Sequence, residues 1–320
     1  MKKAIAWVKE SLASRNIVAF MTHYYVNKGT IYATDGRAVA AHPFPFDGEF
    51  LAPGKELEAI LARFPDDKEI SLETHGATIQ LKVGRFRGTL HCLDPRDWTV
   101  PYPDAGAWQL FPQDILSGLG TLRPLISDNA TRPYAMCVYI DNGAMYATNN
   151  VILATMPCKA MGQLMIPAWA IDFLLKRPDG ITHWQYSPNA LAIQWENGAW
   201  FRTQLLADEY PKLAIKLLGD APKAKFKLTP EWLEAVERVA FLANGMSLRF
   251  YKDLVATGAP PMMVEEAIKT PLPKGVECTT WDPDQLLKVL SIAEYWQPDL
   301  WPEASSFRGT NIHGVFIGRM

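Results

Sequence analysis

The chain has 320 residues, of which 48% are hydrophobic and 21% charged, a composition ordinary for a globular protein of two or three domains. Its net charge of -2 excludes the strong overall positive charge of many nucleic-acid-binding domains, although folding can still gather Lys and Arg on one surface. The longest apolar runs, such as residues 166–175, fall short of a membrane span. We therefore expect a soluble, cytoplasmic protein that does not bind a membrane.

One pattern occurs three times along the chain, and the Tyr-Ala-Thr of residues 32–34 returns at residues 146–148. Each copy opens with a helical pattern in which apolar residues fall close to the i, i+3, i+7 spacing of one helix face. The three predicted helices cover residues 2–15, 113–126 and 230–243.

A strand and a turn follow in the first two copies, at YATDGRAVA (32–40) and YATNNVILA (146–154), while the third keeps LRFYKDLVATG (248–258). A second helix then begins near a proline in every copy, where the first helical N–H needs no intrahelical partner. These predicted helices cover residues 52–64, 166–177 and 282–293, and Asp282 is placed to cap the last of them.

Short alternating strands close each copy. After the first two copies, residues 97–103 and 208–213 leave the sheet and lead into predicted linkers near 104–109 and 216–224. The pattern predicts an α+β fold of three tandem domains, each with two helices on an antiparallel sheet. The predicted domains are residues 1–105, 106–217 and 218–320.

The order and spacing of these segments resemble the β subunit of bacterial DNA polymerase III, the sliding clamp, over essentially the whole chain. The resemblance rests on Ala-Thr-Asp-Gly at 33–36, Ala-Thr-Asn-Asn at 147–150, LLADEYPKL at 205–213 and the C-terminal FIGRM. It implies a divergent clamp, of viral or other origin, that forms a homodimeric ring of six similar domains with helices lining the hole. It also implies a non-enzymatic processivity factor that encircles double-stranded DNA, is handled by a clamp loader and tethers a replicative DNA polymerase.

Two features depart from the family pattern. The chain begins within the first helix, where the family has a preceding strand, so we expect a shortened sheet in the first domain. Asn149 and Asn150 stand where the family prefers Asp-Gly, which leaves the geometry of this turn open.

A clamp that slides must hold phosphates without reading bases, so lysine and arginine are the expected contacts. Arg15 and Arg132 are the foremost candidates, because each follows a first helix in the loop where the clamp family places DNA-contacting basic residues. For any one candidate taken alone, a solvated helix face is the simpler interpretation. The candidate DNA-binding residues are Lys2, Lys9, Arg15, Arg123, Arg132, Lys176, Arg177, Arg238 and Lys288.

The resemblance further implies an apolar pocket between the second and third domains that captures short peptides of polymerases and of the clamp loader. Phe316 and Ile317 have an alternative interpretation as core residues of a last strand, whereas a flexible methionine wall suits loosely related peptide anchors. Ring closure would pair strands of the first domain of one protomer and the third of the other. Carried over by position, the pocket residues are Thr148, Val151, Leu153, Tyr210, Pro211, Leu213, Phe316, Ile317, Arg319 and Met320.

Two other classes of protein stay open. A ring-forming structural or virion protein without DNA in its bore would share the repeat but would not need the peptide pocket. A hydrolase or transferase would need a catalytic constellation, yet the six histidines lack ligand spacing, and there is neither a P-loop nor a Gly-x-Ser-x-Gly motif. The four cysteines contain no Cys-x-x-Cys. We expect no catalytic residues, no metal and no cofactor.

Overall fold

A computed structural model describes residues 1–15, 17–66, 68–104, 108–259 and 262–319. The predicted helices are confirmed, although each ends earlier than its pattern indicated, and short 3₁₀ turns at Lys9–Ser11 and Arg123–Leu125 prolong the first and third. The helices are α1 (Lys2–Val8), α2 (Gly54–Leu61), α3 (Gln113–Leu122), α4 (Ala168–Leu175), α5 (Lys212–Asp220), α6 (Pro230–Phe241) and α7 (Pro283–Leu290).

The strands alternate with these helices. The first half of the chain contains β1 (His23–Asn27), β2 (Thr30–Thr34), β3 (Ala38–Pro43), β4 (Phe50–Pro53), β5 (Ser71–His75), β6 (Thr78–Val83), β7 (Phe86–His91), β8 (Gln109–Leu110), β9 (Cys137–Asp141), β10 (Ala144–Thr148) and β11 (Ile152–Pro157). The second half contains β12 (Gln163–Pro167), β13 (Ile181–Ser187), β14 (Ala190–Trp195), β15 (Trp200–Gln204), β16 (Phe226–Lys227), β17 (Leu248–Phe250), β18 (Leu254–Ala259), β19 (Met262–Ala267), β20 (Thr279–Trp281), β21 (Tyr295–Trp296), β22 (Ser305–Gly309) and β23 (Ile312–Phe316).

Local sequence explains where two of the helices begin. The side chain of Asp282 accepts a hydrogen bond from the N–H of Gln285, so its predicted capping role at α7 is confirmed. Thr229 caps α6 in the same way, by accepting from the N–H of Trp232. Proline is the first residue of both helices, where its missing N–H costs nothing.

The strand order β4-β1-β2-β3 occurs again as β12-β9-β10-β11 and as β20-β17-β18-β19. A helix follows the first-named strand of each set, namely α2, α4 and α7. Each of three meanders, β5-β6-β7, β13-β14-β15 and β21-β22-β23, is antiparallel. The α+β class is confirmed, and these matching orders support the predicted repeat of one supersecondary unit.

Contacts between residues group the chain into two compact units. Unit 1 comprises Met1–Phe111 with Lys176–Leu205, and unit 2 comprises Pro112–Leu175 with Leu206–Met320. Each contains an eight-stranded sheet, because β3 pairs with β15 in unit 1 and β11 pairs with β23 in unit 2. These units divide the predicted middle domain, so the three-domain boundaries stay a prediction. The first boundary, at residues 105 and 106, lies outside the described residues.

Two strands lack the partner that their equivalents have. β3 and β11 each pair with the last strand of a meander, whereas β19 has no such partner in the described chain, and neither has β7, the last strand of the first meander. The first meander also lacks a fourth strand, while β8 joins β13 and β16 joins β21. The predicted shortened sheet is therefore confirmed for the residues that the structure describes.

The second predicted linker, residues 216–224, is wrong in its first half. α5 continues to Asp220, because Ala214, Ile215 and Leu218 form an apolar face that packs over β11 and β23. None of the described helices is both long and apolar enough to cross a membrane.

Candidate functional site

Matching turns join β2 to β3 in unit 1 and β10 to β11 in unit 2. The hydroxyl of Thr34 accepts a hydrogen bond from the N–H of Gly36 at 3.1 Å, and that of Thr148 accepts from the N–H of Asn150 at 3.0 Å. Gly36 has φ +86° and Asn150 has φ +71°, a left-handed conformation that asparagine tolerates better than most residues with a side chain. The Asn-Asn turn therefore keeps the geometry of the Asp-Gly turn.

Asn149 also makes a contact that aspartate could not make in the same form. Its side-chain oxygen accepts from the N–H groups of Val151 and Ile152, as the carboxylate of Asp35 does in the other turn. Its amide nitrogen is a donor as well, and it donates to the side-chain oxygen of Gln285 at 2.6 Å. This bond joins the turn to α7.

A buried apolar cluster lies beside this turn in unit 2. Leu153 and Tyr210, both 6% exposed, pack with Leu218 and Val315. The Tyr210 ring stacks on that of Tyr139, with centroids 4.8 Å apart and planes 13° from parallel. The structure thus brings two predicted pocket residues together with Leu218 and Val315, which sequence reasoning missed.

Tyr134, also absent from the predicted set, covers this cluster. Its hydroxyl donates to the side-chain oxygen of Asn150 at 3.0 Å, and its ring lies edge-on to Tyr210 with centroids 6.1 Å apart. The hydroxyl of Tyr210 is buried and has no hydrogen-bond partner among the described residues. Burial is the main cause that raises the pKa of Tyr210 above its usual value, so the phenol stays protonated. Tyr134 and Asn150 together close the mouth of the cluster.

The exposed edge of the cluster is apolar. Val151 is 37% and Ile317 49% exposed, and the N–H of Ile317 donates to the carbonyl of Val151 at 3.1 Å. Leu213 projects from α5 and is 81% exposed, whereas Pro211 is half-buried and Thr148 is buried. Neighbouring exposed apolar groups of this kind are typical of binding surfaces.

A cavity of about 510 Å³ lies on the α5 side of the same cluster. Leu218 and Pro157 contribute apolar wall, and the side chains of Lys223, Arg308 and His313 stand around it. This volume falls in the range of small-ligand and peptide side-chain sites.

The last residues of the chain have different positions. Phe316 is 1% exposed and packs against Trp281, with ring centroids 4.8 Å apart, and against Trp296 and Phe307. It therefore presents no surface to a ligand in this structure and lies in the core, as its alternative interpretation has it. Ile317, by contrast, is at the surface.

Arg319 is tied to the start of α7. Its guanidinium forms an ion pair with Asp282 and donates to the hydroxyl of Ser247 at 3.1 Å, while its backbone N–H donates to the carbonyl of Thr280. Met320 lies outside the described residues.

Six of the nine candidate DNA-binding residues form ion pairs within their own unit. Arg177 is the most enclosed: its side chain is 12% exposed, its guanidinium lies 5.4 Å from the Trp7 ring centroid, and burial lowers its pKa. The pairs are Lys2–Asp66, Lys9–Glu58, Arg123–Asp172, Lys176–Glu10, Arg177–Glu10 and Arg238–Glu266. Because a neighbouring carboxylate offsets each charge, these residues attract phosphate less than an unpaired cation would.

Arg15 and Arg132 are different. Both side chains are exposed, each lies in the loop beyond the first helix of its copy, and neither forms an ion pair with any described residue. Lys288, half-buried on α7, also lacks an ion pair in the described part of the chain. The structure thus leaves three of the nine candidates available to phosphates.

α6 does not present a basic face. Glu231, Glu234 and Glu237 are all exposed on it, and Glu234 and Glu266 both pair with Arg238. Glu266 in turn has its pKa lowered, chiefly by the hydrogen bond from Arg238. In the described residues, no three His, Cys, Asp or Glu side chains stand close enough together to hold a metal ion.

The threefold strand order, the shared eight-stranded sheets and the turn beside an apolar cluster define the fold of a bacterial-type DNA sliding clamp, and the predicted resemblance is confirmed. The chain is similar to the DNA polymerase III subunit beta sliding clamp of Bartonella birtlesii bound to griselimycin, with TM-score 0.83 and 18% identity over 99% of this chain and 96% of that one. It is also similar to the Helicobacter pylori β clamp bound to a DNA ligase peptide, with TM-score 0.81 and 14% identity over 100% and 97% of the two chains.

The DNA polymerase III subunit beta of Pseudomonas aeruginosa has TM-score 0.79 and 17% identity, over 99% of this chain and 98% of that one. No protein-family model matches the sequence, and no curated protein matches it. At such low identity the similarity shows the fold, and the function has to be argued from the residues of this chain.

Proposed function

We propose that this protein is a non-enzymatic DNA sliding clamp that encircles double-stranded DNA as a homodimeric ring, is placed there by a clamp loader and holds a replicative DNA polymerase. The observation that carries the proposal is the pair of open strands, β7 and β19. In the other two repeats the equivalent strands are paired, as β3 with β15 and β11 with β23. Two copies that joined β19 to β7 head to tail would complete the pattern and close a ring.

The paired strands also predict the register of this interface. Ala41 of β3 lies opposite Trp200 of β15, and Thr155 of β11 lies opposite His313 of β23. Both junctions therefore use the same register, which can be carried to the open edges by counting along the ladders.

Counting in this way places Arg87 of β7 opposite Glu265 of β19 in a second copy. Opposite charges directly across an antiparallel pair stabilise it. Phe86, Met262 and Met263 are exposed on the same two strands and supply apolar area. An uncovered edge of this composition would be an aggregation hazard, which the ring would remove.

The oligomeric state tests the ring directly. Small-angle scattering at several concentrations should give a mass near twice 35.8 kDa and the profile of an open-centred particle. A compact monomer at every concentration would defeat the proposal. A ring that held neither duplex DNA nor peptide would instead support the structural or virion alternative.

Replacing Arg15→Ala and Arg132→Ala together should weaken the hold on duplex DNA and leave the ring intact. Because these two exposed guanidiniums would each release about one counterion on binding, the slope of log affinity against log salt should fall by about 2. Titration of a fluorescent duplex over a salt series measures this slope. Lys225→Ala with Lys227→Ala removes the same charge from another exposed segment and should change the slope little. An unaltered slope in the arginine double variant would refute the assignment of these loops.

Partner peptides would bind over the unit 2 cluster formed by Leu153, Tyr210, Leu218 and Val315. A peptide that displaced Tyr134 would open the mouth and bring a polar group within reach of the Tyr210 hydroxyl, which has no partner in the described chain. The exposed Val151 and Ile317 extend the apolar surface at the rim.

Tyr134→Phe should strengthen peptide binding by about two- to tenfold. The substitution removes the hydrogen bond to Asn150 that holds the mouth closed, a net loss of about 0.5–1.5 kcal/mol for the closed form. The DNA ligase peptide seen with the Helicobacter pylori clamp is a suitable fluorescent probe. Tyr146→Phe removes a hydroxyl from the same aromatic group without touching Asn150, and should leave the affinity unchanged. Weaker binding by Tyr134→Phe would show that this tyrosine contacts the peptide rather than excluding it.

A further inference from the structure

Unit 1 has an open cavity at the position where unit 2 has its closed cluster. The cavity measures about 180 Å³, and its apolar walls come from Phe20, Met21, Val39 and Val100. The turn of Thr34 and Gly36 borders it, as the turn of Thr148 and Asn150 borders the cluster in unit 2. The two sites are therefore built from the same part of the repeat.

Two substitutions between the repeats explain why this site is open. Phe20 stands where unit 2 has Tyr134, and Gly36 stands where it has Asn150. Phenylalanine and glycine have no side-chain groups that could form the hydrogen bond across the mouth. Unit 1 also has no helix equivalent to α5 over this surface: Thr99, Val100 and Pro101, which line the cavity, follow the aromatic exit residue instead.

The chemistry of the walls differs in one decisive position. Arg202 lies opposite Val39 in the β3–β15 ladder, as Val315 lies opposite Leu153 in unit 2. A guanidinium thus replaces an isopropyl group, and Arg202 forms no ion pair with any described residue. Arg37, at the same mouth, is already held by Asp35. An apolar floor beside an uncompensated cation favours an aliphatic group next to a carboxylate.

We infer that this cavity is a second peptide-binding site, which takes an extended segment carrying an aliphatic side chain next to an acidic one. The inference rests on the proposed function, because the equivalent surface of unit 2 is there assigned to peptides. The two sites select differently: that of unit 2 is apolar and closed by a hydrogen bond, and that of unit 1 is open and cationic. A partner with both kinds of segment would hold one protomer at two points, which raises its avidity.

Methionine-methyl NMR on the full chain tests the inference, because Met21 is in the wall of the cavity and Met21→Leu assigns its resonance. The probes are acetyl-Ala-Leu-Asp-Ala-amide and the same peptide with asparagine in place of aspartate. We expect the aspartate peptide to shift the Met21 methyl with an affinity about tenfold higher than the asparagine peptide, the effect of one charge-assisted hydrogen bond. Arg202→Val should abolish this preference.

Gly36→Asn provides the structural counterpart, since it introduces the mouth residue of unit 2. A Cβ at this position would lie 3.0 Å from the terminal methyl of Met21, a flexible group, and asparagine already adopts this backbone conformation at Asn150. The variant should bind the aspartate peptide at least about tenfold more weakly, as expected when a mouth is narrowed. Circular dichroism establishes that it is folded, and the Arg202→Val comparison decides the question if it is not.

Three results would overturn the inference: no Met21 shift up to the solubility limit of the peptide, equal affinity for both peptides, or an unchanged affinity in a folded Gly36→Asn. The ligase-peptide titration separates this outcome from the proposed function. Loss of that binding with the Met21 shift retained would count against the unit 2 site alone. The reverse result would count against the unit 1 site alone.

Discussion

Arg87→Glu should convert the dimer to monomers at concentrations where the unaltered protein is dimeric, and adding Glu265→Arg to the same chain should restore the dimer. The register places the two side chains directly opposite each other in both interfaces of the ring. Replacing attraction by repulsion at such a position costs about 1–2 kcal/mol per interface, hence about 2–4 kcal/mol for two. This corresponds to a dissociation constant raised by between about thirtyfold and a thousandfold, which sedimentation equilibrium can measure.

Arg85→Glu is the matched control, because Arg85 is exposed in the turn just before β7 and makes the same change of charge without facing β19. It should leave the dissociation constant within a few-fold of its starting value, the size expected of a screened rim charge. A monomeric double variant would show that the register is wrong even if the ring exists. A dimeric Arg87→Glu protein would show that β7 is not at the interface.

The repeated elements of the fold could be predicted from sequence because each one carries its own local signals. The proline and cap at residues 282–283 mark the start of α7, and the spacing of apolar residues indicates its buried face. α5 was missed because Gly219, Asp220 and Pro222 are typical of a linker, and its helical part is stabilised by packing on β11 and β23 rather than by local sequence.

The candidate site was predictable only as far as positions could be carried over from a related fold. Leu153 and Tyr210 were found in this way, but the hydrogen bond from Tyr134 to Asn150 joins different segments and has no sequence signature. The same limit applies to the basic residues. That Glu10 lies beside Arg177 depends on tertiary structure, so a sequence cannot distinguish an offset cation from one that is available to DNA.

The C-terminal strand illustrates a signal that was present in the sequence. Successive side chains of a strand point to opposite faces, so Val315 and Phe316 cannot both face the same pocket. The structure places Val315 in the cluster beneath α5 and Phe316 among the tryptophans of the core. Period-2 alternation alone would have assigned one of them to each face.

Phe316→Ala should therefore act on stability rather than on peptide recognition. Its ring is fully buried against Trp281, Trp296 and Phe307, and truncation would leave a cavity that these rigid neighbours cannot fill. The expected loss is about 3–5 kcal/mol of unfolding free energy in unit 2, measured by urea denaturation followed through tryptophan fluorescence.

Ile317→Ala separates the two roles of this tail. Because its side chain is 49% exposed, removing it should change the unfolding free energy by no more than about 0.5 kcal/mol. It should still weaken the ligase peptide, since Ile317 and Val151 form the apolar rim of the site. If Phe316→Ala kept its stability and lost the peptide while Ile317→Ala did neither, the side chain of Phe316 would have to leave the core on binding, and the rim would have to be redrawn around it.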